Sequence, residues 1–465
     1  MENNFWDSST WQTFHLIAAL LLAMLTANAL KQMIPFLRRS LVPTSVMGGL
    51  ILLCISAAFQ KTTGQVMFNL PFFGGNGVAI LEIITYHCLA LGFICTSLKV
   101  SDRKLTRLRQ WEIFNTGVTT VSTYLLQGAV GMAITIIAAL LLKEFFPAAG
   151  MLLPFGFGQG SGQALNYGGL FENDFGFDGG KSFGLTIAAL GFLSASLGGV
   201  VHLNILRIRG RNIGDGEEGY GVMNESIEDD NEIPMNGSMD KLTVQLTLVV
   251  IAYMMTNFIM WSLSSFLPGM TALIYGFNFL IGVLCATLVK VILKLLKKIG
   301  LVKRQYTNNF LMTRCGNLFF DIMVVAGIAA IRLDVLENYW GVMLVLGIAG
   351  MLVTYFYIRF VCKILFRRYQ EEQFLAMYGM LTGTASTGII LLREIDKDFK
   401  TPAADNLVYQ NFPAIVFGFP IMLIVPLAPV MPVKILLVLA GFFLAMQVLL
   451  FRNKIFKRRR RKRNA

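Results

Sequence analysis

The stretch Phe155-Gly156-Phe157-Gly158-Gln159-Gly160-Ser161-Gly162-Gln163 puts glycine at every second position inside a window that holds no charged residue. Four glycines at that spacing do not support a regular helix, since each lacks a Cβ and widens the backbone's choices. The tract reads as a break, where backbone comes close to a ligand and the N–H groups of the next half-helix attract an anion. The competing reading is tight helix packing through small residues. A lone GxxxG would favour packing; a tract this dense, flanked by Gln159 and Gln163, favours binding.

Around the break the chain is a series of long apolar windows. The residues are 55% hydrophobic and 14% charged, against about 25% charged in an ordinary soluble domain, and the charge is segregated into short stretches. About 20 apolar residues at 1.5 Å each cross a hydrocarbon core. Such windows occur at 12–33, 43–60, 77–99, 113–142, 182–206, 241–266, 270–294, 310–332, 339–362, 405–431 and 433–451. The polar, weakly acidic start Met1–Trp11 lacks the basic leader of a cleavable signal, so the first window is expected to be retained. The six cysteines are scattered through these windows without a CxxC pair and read as small buried hydrophobes.

A second broken tract is Gly379-Met380-Leu381-Thr382-Gly383-Thr384-Ala385-Ser386-Thr387-Gly388. The basic loops cluster at Lys31–Arg39, Lys99–Arg109, Arg207–Arg211, Lys294–Arg304, Lys363–Arg368 and Lys454–Arg463, and constrain how both tracts lie. Cytoplasmic loops carry the excess of Lys and Arg. One alternation fits them all: N-terminus outside, C-terminus inside, with the segments at about 149–173 and 372–396 each entering and leaving on one side. The expected fold is therefore an all-α integral membrane protein made of two inverted-topology five-helix repeats. The first repeat is 1–206 and the second 241–431, each with a re-entrant hairpin before its fifth span. A polar linker at 207–240, with Glu217, Glu218, Glu228, Asp229 and Asp230, is expected to be a solvated cytoplasmic loop. Residues 432–465 hold an extra span and a basic tail.

The net charge of +13 does not point to nucleic acid, because the basic residues sit at the ends of apolar runs. No nucleotide-binding P-loop is present, so energy is expected from an ion gradient. The three histidines, His15, His87 and His202, fall on separate spans, which argues against a metalloenzyme. Ionisable residues inside spans are costly and mark function. Asp321, seven residues after Arg314, is the leading cation-site candidate, with Asn317 and Asn411 as lesser ones; Glu82 and His87 are similar in kind. Arg393 is a candidate partner for a substrate carboxylate. The substrate-binding candidates are Gly158, Gln159, Gly160, Ser161, Gly162 and Gln163 in the first tract, and Thr382, Gly383, Thr384, Ser386 and Thr387 in the second.

On these residues, on Val42-Pro43-Thr44-Ser45-Val46-Met47-Gly48-Gly49-Leu50, on Leu190-Gly191-Phe192 with Gly198-Gly199, and on Gly316-Asn317-Leu318, the chain resembles the bacterial sodium:glutamate symporter family. The resemblance covers most of 12–431 and leaves out the last span. It implies a sodium-driven carrier of a small anionic solute such as glutamate, a homodimer in the bacterial inner membrane, working by alternating access. Three positions depart from the family pattern: Gln159 stands for a histidine, Ser386 for a proline, and Asp321 for a small hydroxyl residue. Proton coupling on the same fold, through Asp321 or Glu82, is the alternative; a channel or an intramembrane enzyme ranks lower.

Overall fold

The computed structural model describes residues 8–100, 106–142, 145–210, 232–233, 235, 239–397 and 399–463, without the side chains of Ser8, Ser9, Phe412 and 453–463. Helix makes up 83% of it and no strand occurs among the described residues, so the all-α class holds. In chain order the principal helices are α1 (Ser8–Met33), α2 (Thr44–Thr63), α3 (Gly77–Leu98), α4 (Arg107–Leu141), α5 (Ser161–Phe175) and α6 (Gly180–Ile208). They continue with α7 (Lys241–Phe266), α8 (Asn278–Lys298), α9 (Asn309–Ala329), α10 (Trp340–Leu365) and α11 (Gln370–Thr382). The last are α12 (Ala385–Arg393), α13 (Ala403–Tyr409), α14 (Asn411–Ile424) and α15 (Pro432–Arg463).

Ten described helices are long and apolar enough to cross a membrane. Large apolar side chains such as Leu25, Phe258, Leu284, Phe356 and Leu444 stand exposed on them, a surface that suits lipid and not water. The chain is a multi-pass membrane protein. The window at 405–431 is not one straight helix: α13 meets the following helix at 49°.

The helices divide between two compact units. Unit 1 comprises Met1–Ala27, Met47–Lys104 and Tyr220–Ala330, hence most of α1 and α2 with α3, α7, α8 and α9. Its core joins Ile94, Cys95 and Leu98 of α3 to Val249 and Ala252 of α7, Ala286 and Val289 of α8, and Met312 and Cys315 of α9. Close approach of α3 and α9 depends on Gly92, where a Cβ would lie 2.6 Å from the Phe320 ring. The residues Glu217 to Asp230 lie outside the described ones. The end of the linker departs from a solvated loop. Lys241, fully buried, donates to Glu232 at 2.8 Å, and Asn308 donates to the same carboxylate oxygen at 2.6 Å. A buried ammonium needs a counter-charge close by, which pins this end of the linker to α7 and α9.

Unit 2 comprises Asn28–Val46, Leu105–Gly219 and Ile331–Ala465. It holds α4, α5, α6 and α10 to α15. The helix α15 is fastened to α4 and α10: Arg452 stacks on Trp111 at 4.6 Å, and Gln447 donates to the Tyr357 hydroxyl at 2.7 Å. Both glycine tracts lie in this unit as breaks between helical arms that double back. In the first, the arm Pro147–Gln159 precedes α5, and its two ends meet where Phe146 stacks on Phe177 at 4.7 Å. In the second, α11 and α12 pack through Gly379 and Gly388, where a Cβ on Gly379 would lie 2.7 Å from the Gly388 Cα. The root of α11 is held by charge: Arg359 donates to both oxygens of Glu371, and the His202 ring, bonded to the Tyr355 hydroxyl at 2.9 Å, meets Glu371 at 2.9 Å.

Candidate functional site

The two breaks converge on one turn of α6. A Cβ placed on Gly191 would lie 2.6 Å from the Thr382 carbonyl oxygen and 3.2 Å from the Phe157 Cα. Backbone from both hairpins therefore reaches van der Waals contact with the same glycine, and any larger residue would push a tip away.

Helix α4 ties the tips together from another side. The Tyr124 hydroxyl donates to the Gly158 carbonyl at 3.0 Å. One turn on, the Gln127 Nε2 donates to the Leu381 carbonyl at 3.0 Å and to Thr354 Oγ1 of α10 at 2.8 Å. Since a carbonyl can only accept, the orientation of the Gln127 amide is fixed, and its Oε1 points elsewhere.

The first break has its sharp turn at Gly160, with φ 83° and ψ −176°, a region open essentially to glycine alone. Gly156 and Gly158 stay in a helical turn instead, and serve close approach: a Cβ on Gly156 would meet the Ala188 backbone at 2.8 Å, and one on Gly158 the Tyr124 ring. Helix α5 then starts with no side chain capping it. In its first turn Ser161 is fully buried and Gln163 is 1% exposed, yet the Ser161 Oγ and both polar atoms of the Gln163 amide have no hydrogen-bond partner among the described residues. Gln127 Oε1 is in the same condition. Leaving a buried polar atom unbonded costs about 1–3 kcal/mol, so three such atoms in the first turn after the first break, with a fourth on the Gln127 side chain that bonds the second hairpin, are a strong departure from ordinary packing.

The second break is better satisfied. The Thr384 side chain caps α12 by accepting from the Thr387 N–H at 3.4 Å, and its Oγ1 lies 3.2 Å from Thr387 Oγ1. Thr382 Oγ1 donates back to the Tyr378 carbonyl at 2.7 Å. Ala385 and Ser386 are exposed at the tip.

The structure thus brings Gly158 to Gln163 and Thr382 to Thr387 to one region of unit 2. It leaves Arg393 at the far end of α12, its guanidinium 5.4 Å from the Phe399 ring centroid, nine residues or about 13 Å along the helix from Thr384. Asn411 accepts from Gln410 at 3.0 Å at the start of α14. Asn317 and Asp321 are exposed on α9 in unit 1, where Arg314 lies over the Phe310 ring. His87, in unit 1, bonds the Tyr253 hydroxyl. Sequence reasoning missed Tyr124, Gln127 and Thr354, and singled out Gly191 only for the resemblance, with no place at the site. A signal existed for Gln127, an amide in the middle of an apolar run. Compared with known proteins, the chain matches no family model, no curated protein and no solved structure.

Proposed function

We propose that the chain is a secondary active transporter that moves a small carboxylate-bearing solute together with sodium by alternating access, as the resemblance to the sodium:glutamate symporters implies. The observation that carries this reading is the meeting of two broken helices at Gly191, with buried, unpartnered polar atoms around the first break. Discontinuous helices whose half-helix ends face one another are how many carriers hold solute and ion. In each half of the chain the first three spans fall mainly in unit 1, and the fourth span, the hairpin and the fifth span fall in unit 2. That matching supports two inverted repeats with re-entrant hairpins. Under this reading unit 2 carries the solute, the N-terminus is outside, the C-terminus is cytoplasmic, and two copies associate in the inner membrane. The unpartnered amide oxygens of Gln127 and Gln163 at the breaks suit a hard cation; Asp321 or Glu82 serves the proton-coupled alternative.

Uptake into proteoliposomes at fixed pH tests the coupling. Accumulation of amino acids or small carboxylates is expected with an inward sodium gradient and not with a potassium gradient. Accumulation that follows a pH gradient and ignores sodium would transfer the reading to the proton-coupled alternative.

A further inference from the structure

We infer that the solute is an amino acid bound as its zwitterion and carrying no charge on its side chain, so that glutamate is refused. The inference rests on the carrier reading and narrows it. It begins with what surrounds the breaks. The tips touch Gly191, Tyr124 and Gln127, and Gln127 bonds Thr354; the unit 2 stretches around these residues and the tips, 113–142, 147–171, 182–201, 340–358 and 373–392, contain no Asp, Glu, Lys, Arg or His. Arg393, the nearest basic residue in sequence to the second tip, is stacked on Phe399 at the opposite end of α12.

Within these stretches the only positive potential the protein supplies at the tips comes from helix N-termini. Each is worth about half an elementary charge. The α12 start has one N–H group taken by Thr384, whereas the α5 start has no side-chain cap and sits beside the unpartnered hydroxyl of Ser161. One such start suits one carboxylate. A second carboxylate would find no Lys, Arg or His in these stretches to pair with, and burying a charge without such a partner is costly.

The remaining unmatched atoms point the same way. Gln127 Oε1 and Gln163 Oε1 are acceptors only. Gln127 cannot turn its amide round without losing the Leu381 carbonyl, so its free end stays an oxygen. Two acceptor oxygens favour an ammonium and oppose a carboxylate. The Gln163 Nε2 remains as a neutral donor for the solute's carboxylate or for an uncharged polar side chain. Donors at the α5 start and acceptors on Gln127 and Gln163 together match the two ends of a zwitterion.

Thermal-shift titration of the purified full-length chain in sodium, with the twenty proteinogenic amino acids and 4-carbamoylbutanoate, which is glutamine without its ammonium, tests this. At least one amino acid with an uncharged side chain is expected to stabilise the protein. Glutamate and aspartate are expected to bind about 100-fold more weakly, and 4-carbamoylbutanoate at least 10-fold more weakly than glutamine. Glutamate or aspartate binding as tightly as any other overturns the inference while the carrier reading stands. So does 4-carbamoylbutanoate matching glutamine, an outcome that assigns the amide oxygens to sodium. If no amino acid binds, the inference falls, and if sodium-driven uptake of small carboxylates is also absent, the carrier reading falls with it. Gln163→Leu serves as the second measurement. Its amide has no hydrogen-bond partner among the described residues, so the ligand-free melting point should hold while affinity for the bound amino acid drops at least 10-fold; unchanged affinity overturns the role of Gln163.

Discussion

The two hairpins of unit 2 solve one problem in opposite ways. Each must end a helix, turn, and begin another beside Gly191. The second hairpin satisfies itself: Thr384 caps α12, Thr382 bonds back along α11, and its root is locked by Arg359 and His202 on Glu371. The first hairpin turns at a positive-φ glycine and leaves the Ser161 hydroxyl and the Gln163 amide buried with no hydrogen-bond partner among the described residues. Its root is closed by rings, Phe146 on Phe177 and Phe177 beside Tyr339. The difference teaches that a matched pair of glycine tracts need not mean matched roles. One tip completes its own bonds, and the other keeps buried polar atoms without a partner among the described residues.

The largest effect is expected at the root of the second hairpin. Glu371→Ala leaves the part-buried Arg359 and the buried His202 without their carboxylate. Breaking a buried pair by removing one partner costs about 3–5 kcal/mol. The melting temperature of the purified protein should fall sharply, and a variant as stable as the parent would mean that the root is held by packing and not by charge.

Next in size is the turn of the first hairpin. Gly160→Val forces a β-branched residue into φ 83° and ψ −176°, at about 1–3 kcal/mol. The protein should still express and melt cooperatively, while uptake is lost, because the start of α5 can no longer hold its place against Gly158 and Tyr124. Normal uptake by this variant would reduce the tract to a packing device and make the two hairpins equivalent after all.

These sites were unevenly legible in the sequence. Spans were readable because hydrocarbon demands about 20 apolar residues per crossing, and the tracts because backbone breaks inside such windows are conspicuous. Which glycine of the first tract makes the turn was not readable: Gly156, Gly158 and Gly160 look alike in a string, and only the neighbours, Ile187, Tyr124 and open φ space, separate them. Tyr124 and Gln127 were hidden for a similar reason. They act through carbonyls of residues far along the chain, Gly158 and Leu381, and sequence patterns do not record such partners. The His202–Glu371–Arg359 cluster was invisible for the same cause, its members sitting on three different helices. Arg393 and Asp321 stood out because charge near or within an apolar window is rare, yet Arg393 lies at the far end of α12 from the tip and Asp321 belongs to unit 1. The docked end of the linker ran against composition: a polar segment was read as solvated, whereas Lys241 draws Glu232 into a buried pair.

The smallest stability effects separate the hairpins most cleanly, because alanine at matched positions should act on different quantities. Thr384→Ala removes a working cap, so the ligand-free protein should lose about 1 kcal/mol, read as a lower melting point. Ser161→Ala removes a hydroxyl that is fully buried and has no hydrogen-bond partner among the described residues. Deleting an unsatisfied buried polar group has no bond to lose, so the ligand-free melting point should stay within about 0.5 kcal/mol of the parent or rise. Its effect should appear only when solute is present: the stabilisation produced by a saturating amino acid should shrink for Ser161→Ala and persist for Thr384→Ala. Both measurements use one melting assay with and without solute, so expression level and detergent cancel. If Ser161→Ala lowers the ligand-free melting point as far as Thr384→Ala does, the hydroxyl has a structural partner, and the first hairpin is as self-sufficient as the second. If instead Thr384→Ala abolishes the solute's effect, the binding role belongs to the second tip, and the contrast between the two reverses.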